Sequence, residues 1–297
     1  LLDRGQYDQE GKKFGYYAVR GPDEFKRMVN NNAYTNYRAK KTFEFTLEMF
    51  EKYGSDSLLE KCQVNKEFLS RIKKAAQDRY IPYDEKTKLF EQNDGFFSLP
   101  HIDIDSIPNT DFPLYSHWSY DRIYRYDRIK QPDVLRFRFL YSHCFTKEQK
   151  EQNYDYYEPR CIHESSLSPS IHSIFATELG KKEAASRFFS YATRLDLDDY
   201  NRNTLEGIHR TSLAASFRNI VYGFGGLRSD GEVLSIAPTC PEHWNSYSFK
   251  FHYQGSSIEV EVYKDHFVIR SDKAITIEIY GKNTAVSGNR EFPLEEL

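Results

Sequence analysis

Tryptophan, methionine and cysteine are scarce here: the 297 residues hold 2 Trp, 2 Met and 4 Cys. The cysteines, Cys62, Cys144, Cys161 and Cys240, stand far apart and form no C-x-x-C pair. Four reduced thiols are therefore expected, with no metal and no redox chemistry. No apolar run approaches the ~20 residues a transmembrane helix requires, and no basic-then-apolar signal segment opens the chain. The expected setting is cytoplasmic, with no membrane partner. Positive charge is not in excess either: the formal net charge is −3, which leaves no electrostatic footprint for nucleic acid.

Tyrosine and phenylalanine are plentiful, at 23 and 22 residues, and such rings suit core packing and sugar platforms alike. Hydrophobic periodicity predicts helices over 31–53, 65–79, 120–126, 132–143, 146–156, 168–179, 182–192 and 204–222. In the first of these Ala39, Phe43, Leu47 and Phe50 form one stripe. After Arg228 the period falls to two, with Phe249, Phe251 and Tyr253, then Ile258, Val260 and Val262, then Phe267 and Ile269, then Ile275, Ile277 and Ile279. That alternation predicts antiparallel hairpins with one buried face. The fold class expected is mostly α with a C-terminal β module, divided as residues 1–228 and 229–297.

Three stretches have residue types suited to chemistry. In Arg20-Gly21-Pro22-Asp23-Glu24-Phe25, Gly21 and Pro22 set a turn and Glu24 is placed just ahead of a helix. A carboxylic acid held there suits proton donation to a glycosidic oxygen, and Asn30, Asn31 and Asn32 add N-cap chemistry and amides for a hydroxyl-rich ligand. In Ile129-Lys130-Gln131-Pro132, a lysine at a helix start opposes the helix dipole, so another interaction is expected to favour it. From Gly207 to Ser216, a helix start would aim free N–H groups at an anion, with His209, Thr211, Ser212 and Ser216 as further donors. Trp118 is a candidate for stacking on a sugar ring, with Tyr115 and Tyr120 behind it; core packing is the competing role.

Taken in order, these and other blocks resemble glycoside hydrolase family 65, which holds maltose, kojibiose, nigerose and trehalose phosphorylases. The blocks are the Gly21–Asn36 run, Ile81-Pro82-Tyr83-Asp84-Glu85, Phe90–Phe96, Ile129–Leu135, Tyr157-Glu158-Pro159-Arg160, His163–Pro169, Glu206-Gly207-Ile208-His209 and Gly223–Arg228. The resemblance implies part of an (α/α)6 barrel followed by a small antiparallel β-sandwich-like domain. It also implies that a β-sandwich domain and about half of the barrel lie upstream of Leu1, so that the chain is the C-terminal part of a longer enzyme.

By the same resemblance Glu24 is the general acid, Lys130, Gln131 and Glu164 contact the acceptor-side sugar, and His209, Ser212 and Ser216 hold phosphate. The family usually has two glycines where Ala214 and Ala215 stand. The implied reaction is inverting phosphorolysis of an α-glucosyl disaccharide or glucoside to β-glucose 1-phosphate and a released sugar or polyol. Phosphate is a co-substrate and no cofactor is needed; a homodimer is compatible with the family. Two alternatives stay open: an α-glucoside hydrolase or transglucosylase, with Glu206 as base, and an inactive carbohydrate-binding fragment.

Overall fold

A computed structural model describes residues 1–295, apart from the side chain of Glu206. The chain divides into two compact units, Leu1–Phe137 and Arg138–Leu297.

In the first unit a short hairpin, β1 (Gln6–Tyr7) and β2 (Phe14–Gly15), precedes the long helix α1 (Ala33–Tyr53). Asn32 starts α1 as its N-cap, accepting the Thr35 N–H at 2.9 Å, which satisfies one of the orphan donors of the first turn. Of the expected stripe, Ala39 and Phe43 are buried, while Leu47 and Phe50 are half-buried. After α2 (Asp56–Lys61), α3 (Lys66–Gln77) returns along α1. Between them Phe14, Phe43, Ile72, Ala75 and Ala76 form a core cluster. The six-residue α2 is too short to reveal a helical period, and its signal is the Ser55 side chain capping Leu58 N. Beyond it come the β3–β4 hairpin (Tyr83–Asp84, Leu89–Phe90), the short helices α4 (Leu114–His117) and α5 (Tyr120–Tyr124), and α6 (Val134–Leu140), whose last residues already belong to the second unit.

The second unit contains α7 (Lys147–Tyr157), α8 (Ser168–Glu178), α9 (Lys182–Arg194) and α10 (Arg210–Arg218). A reciprocal capping box between Thr146 and Gln149 opens α7,. The helix expected over 204–222 is interrupted. Thr204–Glu206 is one 3-10 turn, and Gly207 then takes φ +111°, a conformation in which glycine is favoured,. His209 is the N-cap of α10, and beyond Arg218 the helix widens into a π-helical turn, Asn219–Phe224. Glu178, at the end of α8, pairs with Lys150 at 2.5 Å and Arg228 at 2.8 Å. Burial alone would raise its carboxyl, but the two cations hold it down at about 2,.

The strands β5 (Ser235–Ile236), β6 (Ser246–Tyr253), β7 (Ser256–Tyr263), β8 (His266–Ile279) and β9 (Lys282–Pro293) form one five-stranded sheet, ordered β5-β8-β7-β6 with β9 also on β8. The period-two positions close its core: Ile258, Val260, Val262, Phe267, Ile269, Ile275, Ile277 and Ile279 are all buried in one cluster. Every pairing is antiparallel except β5 with β8, which is parallel. β9 lacks a readable period because Val286 is its one buried residue.

Candidate functional site

The first unit builds a braced loop around Glu24. Val19 and Val29 exchange backbone hydrogen bonds at 2.9 Å, closing the loop at its base. The segment Lys130–Asp133 then grips three consecutive loop residues. Gln131 Nε2 donates to the Pro22 carbonyl at 2.5 Å. The Lys130 main-chain N–H donates to Asp23 Oδ1 at 2.9 Å. Lys130 Nζ reaches Glu24 Oε2 at 2.6 Å. Asp133 Oδ2 accepts from Asn32 Nδ2 at 3.0 Å and from the Asp23 N–H at 3.4 Å. Gly21 is required by this closeness: a Cβ there would lie 2.4 Å from both Asn32 Nδ2 and Asp133 Oδ2.

Asp23 and Asp133 are buried carboxyls side by side behind the loop. Burial raises both above the usual carboxylate range, and the charge of Asp23 adds to the effect on Asp133, which rises to about 7,. Lys26 is buried as well; its Nζ donates to the Tyr126 carbonyl at 2.7 Å. Burial lowers its pKa, opposed by Asp23 and Asp127. Glu24 alone of the loop acids reaches out, its side chain 41% exposed, with Arg20 at 3.7 Å on its other side. The helix expected from residue 132 begins only at Val134, so Lys130 stands in the bend before it and not at a helix start, and the interaction it makes is the ion pair with Glu24.

Of the neighbouring asparagines, Asn31 and Asn32 are buried and Asn30 is exposed. Asn32 bonds to Thr35, Gln92 and Asp133, Asn31 donates to Asp94 at 2.7 Å, and Asn30 accepts from the Ala18 N–H. Gln131 is 3% exposed, and its Oε1 is buried without a hydrogen-bond partner among the described residues. Trp118 is 6% exposed, with its indole N–H on Asp111 and the Arg122 guanidinium 3.8 Å from its ring, so its ring takes the competing role and packs in the core. Tyr120 is covered by Arg27 at 3.4 Å. Tyr115 lies instead beside the acid's partner, its ring 4.4 Å from Lys130 Nζ.

In the second unit Glu164 is buried on the loop before α8. Its neighbour His163 adopts φ +56°, and the Tyr191 hydroxyl, which donates to the His163 carbonyl at 2.8 Å, helps hold it there. Cys161, His163 and His172 bring one ligand-type atom each within 4.8 Å of the others. These side chains converge on the Ser168 hydroxyl, with His163 Nδ1 at 2.7 Å and Cys161 Sγ at 3.2 Å. Burial lowers the pKa of both histidines, that of His172 to about 4. The four cysteines are free thiols.

Of the residues expected to hold phosphate, Ser212 is buried and its hydroxyl donates to the Ala192 carbonyl at 2.6 Å; that of Ser216 donates to the Ser212 carbonyl at 2.9 Å. Both keep only lone pairs for a further partner. His209 is different. Asp196 takes its main-chain N–H at 2.9 Å and its Nδ1 at 2.5 Å, while Nε2 makes no hydrogen bond among the described residues. Sequence reasoning missed Asp23 and Asp133 as braces, although both stood inside recognised blocks, and it missed Asp196, which lies in an acidic turn with no helical or strand period.

Family models match most of the chain: glycosyl hydrolase family 65 central catalytic domain over residues 1–218, and the family's C-terminal domain over residues 227–286. Alpha,alpha-trehalose phosphorylase of Thermoanaerobacter brockii is 41% identical over 94% of this chain and 37% of its own length. Maltose phosphorylase of Bacillus subtilis is 36% identical over 97% of this chain and 38% of its own length. The chain thus spans about two-fifths of the length of the curated relatives it matches. A solved structure described as "Putative kojibiose phosphorylase from human microbiome" superposes with a TM-score of 0.92 at 51% identity, over 99% of this chain and 44% of that one.

Proposed function

We propose, from the premise that the chain belongs to glycosyl hydrolase family 65, that its protein carries out inverting phosphorolysis of an α-glucosyl disaccharide or glucoside. The observation that carries the proposal is Glu24: one outward-reaching carboxylate on a loop whose two preceding residues are pinned by Gln131, Lys130 and Asp133. Glu24 protonates the departing glycosidic oxygen while phosphate attacks the anomeric carbon from the opposite face, so configuration inverts. The products are β-glucose 1-phosphate and a free sugar or polyol. Phosphate is already a nucleophile near neutral pH, so no protein base and no cofactor is required.

Lys130 and Glu164 are assigned to the released sugar and His209 to phosphate, with Ser212 and Ser216 as acceptors beside it. Gln131 supports the acid loop through Pro22 as well as the sugar side. The relatives' names as trehalose, maltose and kojibiose phosphorylases support phosphorolysis over hydrolysis. In this reading the helices belong to an (α/α)6 barrel, residues 1–228, and residues 229–297 to a small β-sandwich-like domain.

The test is disaccharide cleavage with and without inorganic phosphate, in the whole protein that carries this chain. Phosphate-dependent release of β-glucose 1-phosphate is expected. Equal rates in the two buffers, abolished by Glu206→Gln, would instead establish the hydrolase.

A further inference from the structure

We propose that Asp196 is the positioning residue that aims His209 at phosphate, an inference that rests on the reading of His209 given above. Asp196 follows α9, thirteen residues before His209. Its carboxylate grips the histidine twice, once at the main-chain N–H and once at ring Nδ1. Two bonds to one residue fix both the backbone at the start of α10 and the rotation of the ring. Both side chains are largely covered, 18% exposed for Asp196 and 19% for His209, so the pair is a built contact and not a surface encounter.

The chemistry follows from the proton positions. With Asp196 as a carboxylate, Nδ1 is the nitrogen that donates to it, and Nε2 is the nitrogen left for a ligand. To donate to phosphate from Nε2 at the same time, the ring has to be the imidazolium, which makes that bond charge-assisted. Asp196 balances the resulting charge. Its own carboxyl is held below the usual range, first by the hydrogen bond from the His209 ring. Because the Ser212 and Ser216 hydroxyls donate to backbone carbonyls, His209 is the donor on which phosphate binding at this helix start depends most.

The experiment is a double-mutant cycle on the whole protein, reading the phosphate KM at saturating disaccharide. His209→Ala should raise it roughly 10- to 150-fold. Asp196→Asn keeps an acceptor for the main-chain N–H but removes the charge. It should raise the phosphate KM by about 10-fold, the low end of what an orienting partner contributes at ligating histidines, with the disaccharide KM unchanged. Asp196→Glu, which retains the charge, should recover part of the affinity. The double variant should match His209→Ala alone, since Asp196→Asn keeps the main-chain bond and alters only the one to the ring. Equal factors for Asp196→Asn with and without His209 would overturn the proposal, as would an unchanged phosphate KM in a folded Asp196→Asn. If His209→Ala itself leaves the phosphate KM unchanged, the assignment of His209 falls first and the role of Asp196 with it.

Discussion

Lys130 and Glu24 are joined by an ion pair of 2.6 Å, and the main-chain N–H of the same lysine donates to Asp23, the residue before the acid. One residue thus sets both the path of the loop and the direction of its carboxylate. A lysine assigned to a sugar by resemblance is also the acid's closest brace.

Glu24→Gln keeps the shape of the side chain and removes the transferable proton. Turnover should fall by about 10²–10⁴-fold, with phosphate affinity nearly intact in binding measurements. A folded variant that retains a third of wild-type turnover would remove Glu24 from the acid's role.

Gln131→Ala deletes the donor to the Pro22 carbonyl and opens a space beside Asp133. Because the loop would lose one of its fixed points, kcat should drop more than the disaccharide KM rises, in steady-state kinetics at saturating phosphate. An effect confined to the disaccharide KM would make Gln131 a sugar contact alone.

Asp133 gives the fold a pH dependence of known sign. An acid whose folded-state pKa is raised to about 7 holds its proton between pH 4 and 7 while the unfolded chain has released it. Folding stability then falls as pH rises through that window and levels off above it. Asp133→Asn should flatten the slope, so that the difference in Tm between pH 5 and pH 8 shrinks in thermal melts. A slope the same in both proteins would place the titrating group elsewhere.

Glu178 tests the opposite case. Glu178→Gln leaves Lys150 and Arg228 without their shared carboxylate, which should cost roughly 3 kcal/mol, read as a lower denaturation midpoint. In the wild type this contribution is present above the ordinary glutamate range and is lost as pH falls toward 2,.

Much of this architecture could be read from residue order. The α1 stripe and the alternating strands rest on burial of every fourth or every second residue, and burial makes the pattern. The short α2, the parallel β5 and the nearly solvent-facing β9 escaped because too few of their side chains are buried to leave a period. Glu24 and His209 stood out by residue type next to turns. The braces Asp133 and Asp196 lie 110 and 13 positions from the residues they hold, Asp23 and His209, and only tertiary contact or a closing turn brings them together. Asn32 was legible as a cap, whereas the burial of the Asn31 and Asn32 amides was not.

A side chain at Gly21 would push its Cβ into Asn32 and Asp133, two of the groups that brace the loop, so a substitution there would disturb the bracing before it widened the route from Arg20 to Glu24. Under the proposed function, a change in the accepted sugar is then better sought at residues outside that turn. On the reading proposed for Glu24, an engineer seeking a new acceptor can leave Gly21 untouched and vary its surroundings while the acid keeps its position.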